Sequence, residues 1–575
     1  MKIKISSLFI LVFIVCCSKN ESNTIAEGEN PKIPTVTTNE VSNITSSSAL
    51  VGGNVIADGG SEVIKKGICW GINENPTIED NASDSGKGMG EFSYEITDLE
   101  ENTTYFAKSY AVNNTGIAYG NEINFSTTKS PELVYNGSVV LRTQSEIDNF
   151  GEPGYTRIKG NLVIYPSSSG NTMNLKPLSN LKEIDSTLQI TGRMGIQNLD
   201  GLDELNRIGG NLWIQHEKLS DLEGLLGLNS IGGNLIIHGN EVMSDINGLK
   251  NVSSIGGDIQ ISANVFSNIE GLSGITEING NLFVQEMGNL VNLNGLNNVT
   301  RIGGVLWIIS NRFLTDVDAF ESLESVNGSI YIRLNNQLTN INGLGSLSKI
   351  SGDLSLDQNQ KLENIDFLES YESIGGDLVF HLLTELNDFS GLTNITEING
   401  NMDFYALPLL EDLNGLSKLS QVGGELRIRS LEQVTEVNGL GNLVSVGENL
   451  IIDSNYALTS LEGLKGLEFL GGSLQLSSNI ALQNLNGLES LTVLGGELAI
   501  MFNYSLKNID GLSNLSQIGR RCRIFGNSDL TDFCGISLLV ENDLSFTPND
   551  YSVNQNAYNP SVQDVIDKNC SLQSQ

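Results

Sequence analysis

The chain is poor in bases. Its 575 residues hold 32 Lys and Arg against 68 Asp and Glu, a formal net charge of -36. A surface of that sign repels phosphate backbones and anionic headgroups, which argues against bulk electrostatic binding of nucleic acid or membrane. Its simplest role is to keep a long exposed surface soluble. Long apolar runs are missing too. The unbroken stretch from Leu8 to Val15 is far shorter than the roughly 20 residues that span a bilayer. Nucleophile-elbow, phosphate-loop and zincin motifs are absent, and no carboxylate pair stands out by spacing, so no catalytic residue is assigned and no enzyme is expected. There is no calcium-loop run of the EF-hand or nonapeptide type. The three histidines do not complete a metal set: His216 and His238 fall near one corner of neighbouring repeats, but no further histidine or cysteine joins them. No metal or cofactor is expected.

What the chain has is a period. Anchors recur at Ile158, Ile184, Ile208, Ile231, Ile255, Ile278 and Ile302, then every 24 residues from Val326 to Ile518. A period of this size marks a solenoid, in which no single turn can bury its own apolar edge and the copies must stack. Counting each anchor as position 1, apolar residues at positions 5 and 7 flank a variable one, as in Leu306-Trp307-Ile308, which predicts a short strand with one buried face. Apolar residues return at positions 13, 16, 19 and 22 (Leu314, Val317, Phe320, Leu323), a spacing that suits a tight helical or extended-turn return path. Glycine holds position 3 in 13 of the 16 copies, as a corner with positive φ or a close backbone approach requires. Asn at position 10 recurs nine times, from Asn240 to Asn527. Stacked, these amides can form a hydrogen-bonded ladder.

The pattern Ile-Gly-Gly-Asn-Leu-x-Ile-x-x-Asn-x-x-Leu-x-x-Leu-x-Gly-Leu resembles the receptor L domain, a right-handed β-helix related to leucine-rich repeats. It is also similar to L-domain-like arrays in surface proteins of Bacteroidetes. One extra residue before the strand leucine separates it from the plain leucine-rich repeat. The resemblance covers roughly residues 131–575 and leaves the ligand open. Ahead of it, Gly67-Ile-Cys-Trp-Gly71, Leu99 to Tyr105 and Gly116-Ile-Ala-Tyr-Gly120 resemble a bacterial fibronectin type III-like module, an antiparallel sandwich. Trp70 is expected in its core, and Cys69 as a lone packed or partly exposed thiol. The expected fold class is therefore mainly β: a fibronectin type III-like sandwich, then a long L-domain-like solenoid of about 24-residue turns.

In order, residues 1–17 read as an export signal, with Lys2 and Lys4 before the apolar run. Ile14-Val15-Cys16-Cys17-Ser18 resembles a lipobox, and Cys17 is the better candidate for lipidation because small Cys16 then precedes the cut. The alternative is an ordinary secretory signal with two incidental cysteines. Ser18 favours the outer membrane by that resemblance, and Lys19-Asn20-Glu21 looks like an imperfect surface-export tag. Residues 18–32 form a polar tether, 33–129 the sandwich spacer and 130–157 an end cap. Within that cap, Thr143 to Phe150 reads as a capped short helix. Repeats fill 158–535, and 536–575 close the other end. Cys522 takes an inward position as a small core residue. Cys534 and Cys570 flank the irregular tail, and their disulfide is preferred in an oxidising compartment.

Position 6 should face solvent. It carries Trp213, Ile236, Gln260, Phe283, Trp307 and Tyr331 over consecutive turns, with Arg333 at position 8 beside the last. Later turns become more charged through Asp403, Tyr405, Arg427, Arg429 and Asp453. An aromatic stripe with polar neighbours suits a protein or sugar ligand, whereas plain β-propensity would place aromatics there without any ligand. The expected role is non-catalytic binding or adhesion toward an extracellular protein. Polysaccharide capture and a structural surface coat are the alternatives. Truncating Trp307 should cost little stability, within about 0.5 kcal/mol.

Overall fold

The computed structural model describes residues 30–129, 132–166, 173–542 and 550–572. Cys16, Cys17, the export signal and most of the tether lie outside the described residues. The chain divides into two compact units, Met1–Pro131 and Glu132–Gln575. Among the described residues no helix is long and apolar enough to cross a membrane.

The first unit holds two antiparallel sheets. Thr35–Thr38, Ala49–Ala57 and Gly90–Ile96 make one; Asn81–Ala82, Lys65–Gly71, Thr104–Asn113, Gly116–Tyr119 and Ile123–Ser126 make the other. Alternating residues of both sheets meet in a shared core of Ala49, Val51, Ile68, Ile96, Tyr105, Ala107 and Phe125. Trp70 departs from expectation. It is half-buried at the edge of that core and stacks on Tyr94 at 5.9 Å. Cys69, one residue earlier on the strand, is the buried neighbour.

In the second unit a typical repeat supplies one four-residue strand, a corner, a short 3₁₀ turn and a two-residue strand. Leu306–Ile309, Asp318–Phe320 and Ser325–Val326 are one such set. The longer strands stack into one 18-stranded parallel sheet. Equivalent positions pair turn by turn, as in Leu306 with Ile330 and Trp307 with Tyr331. Sixteen strands come from the repeats; Val139–Leu141 and Tyr551–Asn554 extend the sheet at its two ends. The three-residue apolar spacing belongs to the 3₁₀ path, which has about 3.0 residues per turn. Leu306, Ile308, Leu314, Val317, Phe320 and Leu323 are all buried in one continuous core.

The corners resolve the two readings of glycine. Gly304 and Gly376 do not have positive φ. A Cβ on either would lie 2.2 Å from Oδ1 of Asn281 or Asp353 in the preceding turn, so close approach is the reason. Positive φ falls instead at position 9, on Ser310 (59°), Leu334 (58°), Leu382 (53°) and Phe502 (56°). Where it occurs, this left-handed residue ends the strand and turns position 10 inward, at a cost of roughly 1–2 kcal/mol that stacking must outweigh.

Position 10 carries the amide ladder. Asn335 Nδ2 donates to Ile308 O at 3.0 Å, and its Oδ1 accepts the Asn311 backbone N–H at 3.0 Å. The same pattern runs from Asn455 through Asn479 and Asn503 to Asn527. Asn556 then extends it beyond the last regular repeat, accepting from Asn527 N at 3.0 Å. A second ladder at position 4 runs the opposite way: Asn281 Oδ1 accepts Val305 N–H and Asn401 Oδ1 accepts Glu425 N–H, each at 2.8 Å.

At the first end, helix Gln144–Gly151 has the reciprocal Thr143–Glu146 capping box and buries Ile147. At the other, short helices Ser537–Asn542 and Val562–Ile566 pack beside a Cys534–Cys570 disulfide whose Cα atoms are 5.0 Å apart.

Candidate functional site

Side chains at positions 6 and 8 of the long sheet point away from the core, because successive strand residues alternate faces. Trp213, Ile236, Phe283, Trp307, Tyr331 and Arg333 all lie on this face, and all are half-buried by their neighbours. They do not form one stripe. Phe283 meets Trp307 at 6.2 Å between ring centres, and Trp307 meets Tyr331 edge-on at 5.0 Å. Arg333 lies over the Tyr331 ring at 4.8 Å. Trp213 and Ile236 stand apart, since Gln260 pairs between Ile236 and Phe283.

Hydrogen bonds hold the far end of the ring run in place. Tyr331 Oη donates to Asp353 Oδ2 at 2.7 Å, and Arg333 Nε donates to Ser355 Oγ at 3.0 Å. Burial pushes the Tyr331 hydroxyl above its ordinary pKa. Burial alone would raise Asp353 as well, but the Asp377 backbone N–H, Tyr331 and Ser329 outweigh it and hold the carboxyl below its usual range. The result is a fixed aromatic surface ending in a guanidinium, with the hydroxyl already committed.

A second constellation lies on the same face. His381, Asp403, Tyr405, Arg427 and Arg429 occupy three consecutive strands. Asp403 is almost enclosed, with its side chain 8% exposed, and takes Arg429 Nη2 on both oxygens at 2.8 and 2.9 Å. His381 Nε2 sits 3.3 Å from Oδ2, near enough to pair when protonated, without the alignment of a hydrogen bond. Arg427 pairs with Glu425 and reaches Asp403 at 3.5 Å, while Arg429 covers Tyr405 at 5.1 Å. Burial would raise the Asp403 pKa; His381 and Arg429 outweigh it and hold it low. The sequence marked this region only as charged. Writing the repeats beneath one another puts His381, Tyr405 and Arg429 in one column at position 8 and Asp403 beside Arg427 at position 6, which was the available signal.

The histidine pair parts company in the structure. His216 is buried, with Nε2 3.0 Å from Met194 O, and burial lowers its pKa. His238 faces outward and meets Ser262 Oγ at 2.8 Å. Burial pushes the Cys69 thiol up to about 11 and Cys522 up to about 12, which leaves both protonated and poorly nucleophilic. Among the described residues, the grouping that offers metal-ligand atoms is Asp532 with Cys534 and Cys570, and those two cysteines are spent in the disulfide.

Against known proteins, the family described as BspA type Leucine rich repeat region, in 6 copies, matches residues 308–426, about a fifth of the chain. The second unit is a leucine-rich-repeat-like solenoid. That fold is typically a non-catalytic, protein-binding scaffold, and the matching family is not a catalytic one. No curated protein matches. Solved structures similar to parts of the chain include the sensor domain of the anti-sigma factor RsgI4 of Pseudobacteroides cellulosolvens, at 21% identity over 18% of this chain and 98% of that one. A structure titled "Myokine structure" matches at 24% identity over 17% of this chain and all of its own. Domains A168–A170 of titin match at 19% over 17% of this chain and 32% of that one. The TM-score is 0.14 in each case, too low to support an argument about this chain.

Proposed function

We propose that this chain is a surface lipoprotein whose solenoid binds an extracellular protein through the Phe283–Trp307–Tyr331–Arg333 run. The observation that carries the reading is the continuity of that run, three rings in successive contact ending in a guanidinium held over the last. Protein interfaces concentrate their binding energy in Trp, Tyr and Arg anchors of this kind. The scaffold class points the same way. The lipobox resemblance at Cys17 supports an outer-membrane anchor, and the antiparallel first unit then serves as a fibronectin type III-like spacer.

The full chain, screened against an array of purified extracellular proteins, is expected to retain a protein partner. Trp307→Ala and Arg333→Ala should each weaken that interaction by about tenfold or more, and Val379→Ala should not. Binding that ignores both substitutions, or an array without any partner, overturns the reading. Mass spectrometry of the mature N-terminus tests the anchor, and an unmodified terminus beyond residue 17 excludes it.

A further inference from the structure

Trp213 stands apart from the ring run and lines a groove of its own. The groove has a volume of about 530 Å³ and is walled by Tyr165, Gln189, Thr191, Arg193, Trp213, Gln215, Glu217 and Glu241. That volume lies within the range of about 300–1,000 Å³ typical of small-ligand sites. It opens where the backbone lacks side chains. Gly192 ends one strand, and Gly239 holds the left-handed position 9 of the turn begun by Ile231. A Cβ built on Gly239 would meet nothing within 4 Å. In later turns the same position carries Ser310 or Leu334.

The walls define the chemistry. Gln189 pairs in register with Trp213, and Thr191 with Gln215, so two amides and a hydroxyl surround one indole. Both glutamines are half-buried, and neither amide has a hydrogen-bond partner among the described residues. The indole Nε1 also lacks an acceptor there. Each amide offers a donor and an acceptor together, as a ring of neighbouring hydroxyls requires. The faces of Trp213 and Tyr165 suit the apolar C–H side of a pyranose.

Charge narrows the class. Arg193 is paired with Glu217 at 3.2 Å, so its cation is already answered. Glu241 adds an unmatched negative charge to the lining, which disfavours uronic or sulfated sugars and nucleotides. Apart from the two rings, the groove has no large apolar side chain to seat a protein anchor.

We infer that the Trp213 groove is a binding subsite for a neutral carbohydrate, separate from the Phe283–Trp307–Tyr331 surface and independent of the protein-binding reading above.

The chain has three tryptophans, Trp70, Trp213 and Trp307. The full chain carrying Trp70→Phe and Trp307→Phe therefore reports from Trp213 alone. Titrating it with neutral gluco-, manno- and galacto-hexasaccharides should give a saturable shift in indole emission with at least one of them. Gly239→Leu fills the groove at a position where Leu334 already tolerates the same backbone, and should lower the affinity about tenfold or more. Gln215→Ala should do the same without altering the corner, and it carries the test if Gly239→Leu loses its native circular dichroism. In the otherwise natural chain, calorimetry should show Trp307→Ala binding the sugar unchanged. That outcome separates this site from the proposed protein surface. A flat titration with all three sugars overturns the inference. Sugar affinity indifferent to Gln215→Ala, or a Trp213 response to acidic glycans or a protein ligand only, overturns it equally.

Discussion

In the turns begun by Ile302 and Val326, polar groups line the inner corner and rings stand outside. In the turns begun by Ile374 and Ile398 apolar side chains fill that corner and charged groups stand outside. The first pair puts Asn311 and Asn335 inside and Trp307 and Tyr331 outside. The second puts Leu383 and Leu407 at the inner corner with His381, Asp403 and Tyr405 on the outer face. There Phe380, Phe389 and Phe404 cluster behind the corner, Phe389 and Phe404 with ring centres 4.7 Å apart. Backbone geometry does not change between them. Position 9 is left-handed at Ser310 and Leu334 and equally at Leu382 and Ala406. The amide ladder is therefore not what bends the chain. It is one way to fill a corner the stacking has already set: amides satisfy backbone groups in one segment, and apolar volume fills the space in the other.

The strongest way to break this comparison is to remove the apolar filler. Phe404→Ala deletes a fully buried ring that contacts two others, and should lower unfolding stability by about 3–5 kcal/mol in chemical denaturation. A loss under 1 kcal/mol would mean the aromatic cluster is not what replaces the ladder.

Next comes a transplant of filler into the polar segment. Asn335→Leu leaves the Asn311 N–H and the Ile308 carbonyl without their partner and sets an isobutyl group beside Asn359. Orphaned buried polar groups cost about 1–3 kcal/mol each, so a loss of about 2–4 kcal/mol is expected. A neutral Asn335→Leu would show that the corner needs volume alone.

The outer faces differ in their response to acid. Asp403→Asn keeps the shape but removes the charge that holds Arg429, at about 1.5–3 kcal/mol near neutral pH. The folded-state pKa of Asp403 is depressed below its unfolded value. Its contribution is thus present above about pH 3.9 and lost as pH falls through the folded value. Stability curves of the natural chain and the variant should converge in acid, and a constant gap down to pH 2 would contradict the ion-pair account.

The smallest effect sharpens the comparison instead. Trp307 is half-buried between Phe283 and Tyr331, so Trp307→Ala should cost about 0.5–1.5 kcal/mol through the lost ring contacts. That is more than a free surface residue loses, and less than Phe404→Ala. Parity between the two in thermal melts would show that the outer rings are a second core.

The candidate face was partly legible in the repeats. Position 6 placed Trp307 and Tyr331 outside because strand residues alternate. It showed Gln260 interrupting the rings after Ile236, but it could not tell that Trp213 shares a groove with Tyr165 from two turns earlier. Asp403 read as one acid among 68, and its burial arises only from residues on the adjacent strands.

The sequence by itself determined the period, the inward register and the stacking, because a 24-residue repeat with apolar positions 5, 7, 13, 16, 19 and 22 can bury its edge only against a copy of itself. It also named the ladder residues, since an amide at a fixed inward corner must recur to be satisfied. Tertiary structure decided the rest. Whether glycine serves φ or proximity depends on how near the preceding turn lies. Which outer side chains touch depends on residues 24 apart in sequence and one strand apart in space, a distance that no single repeat contains.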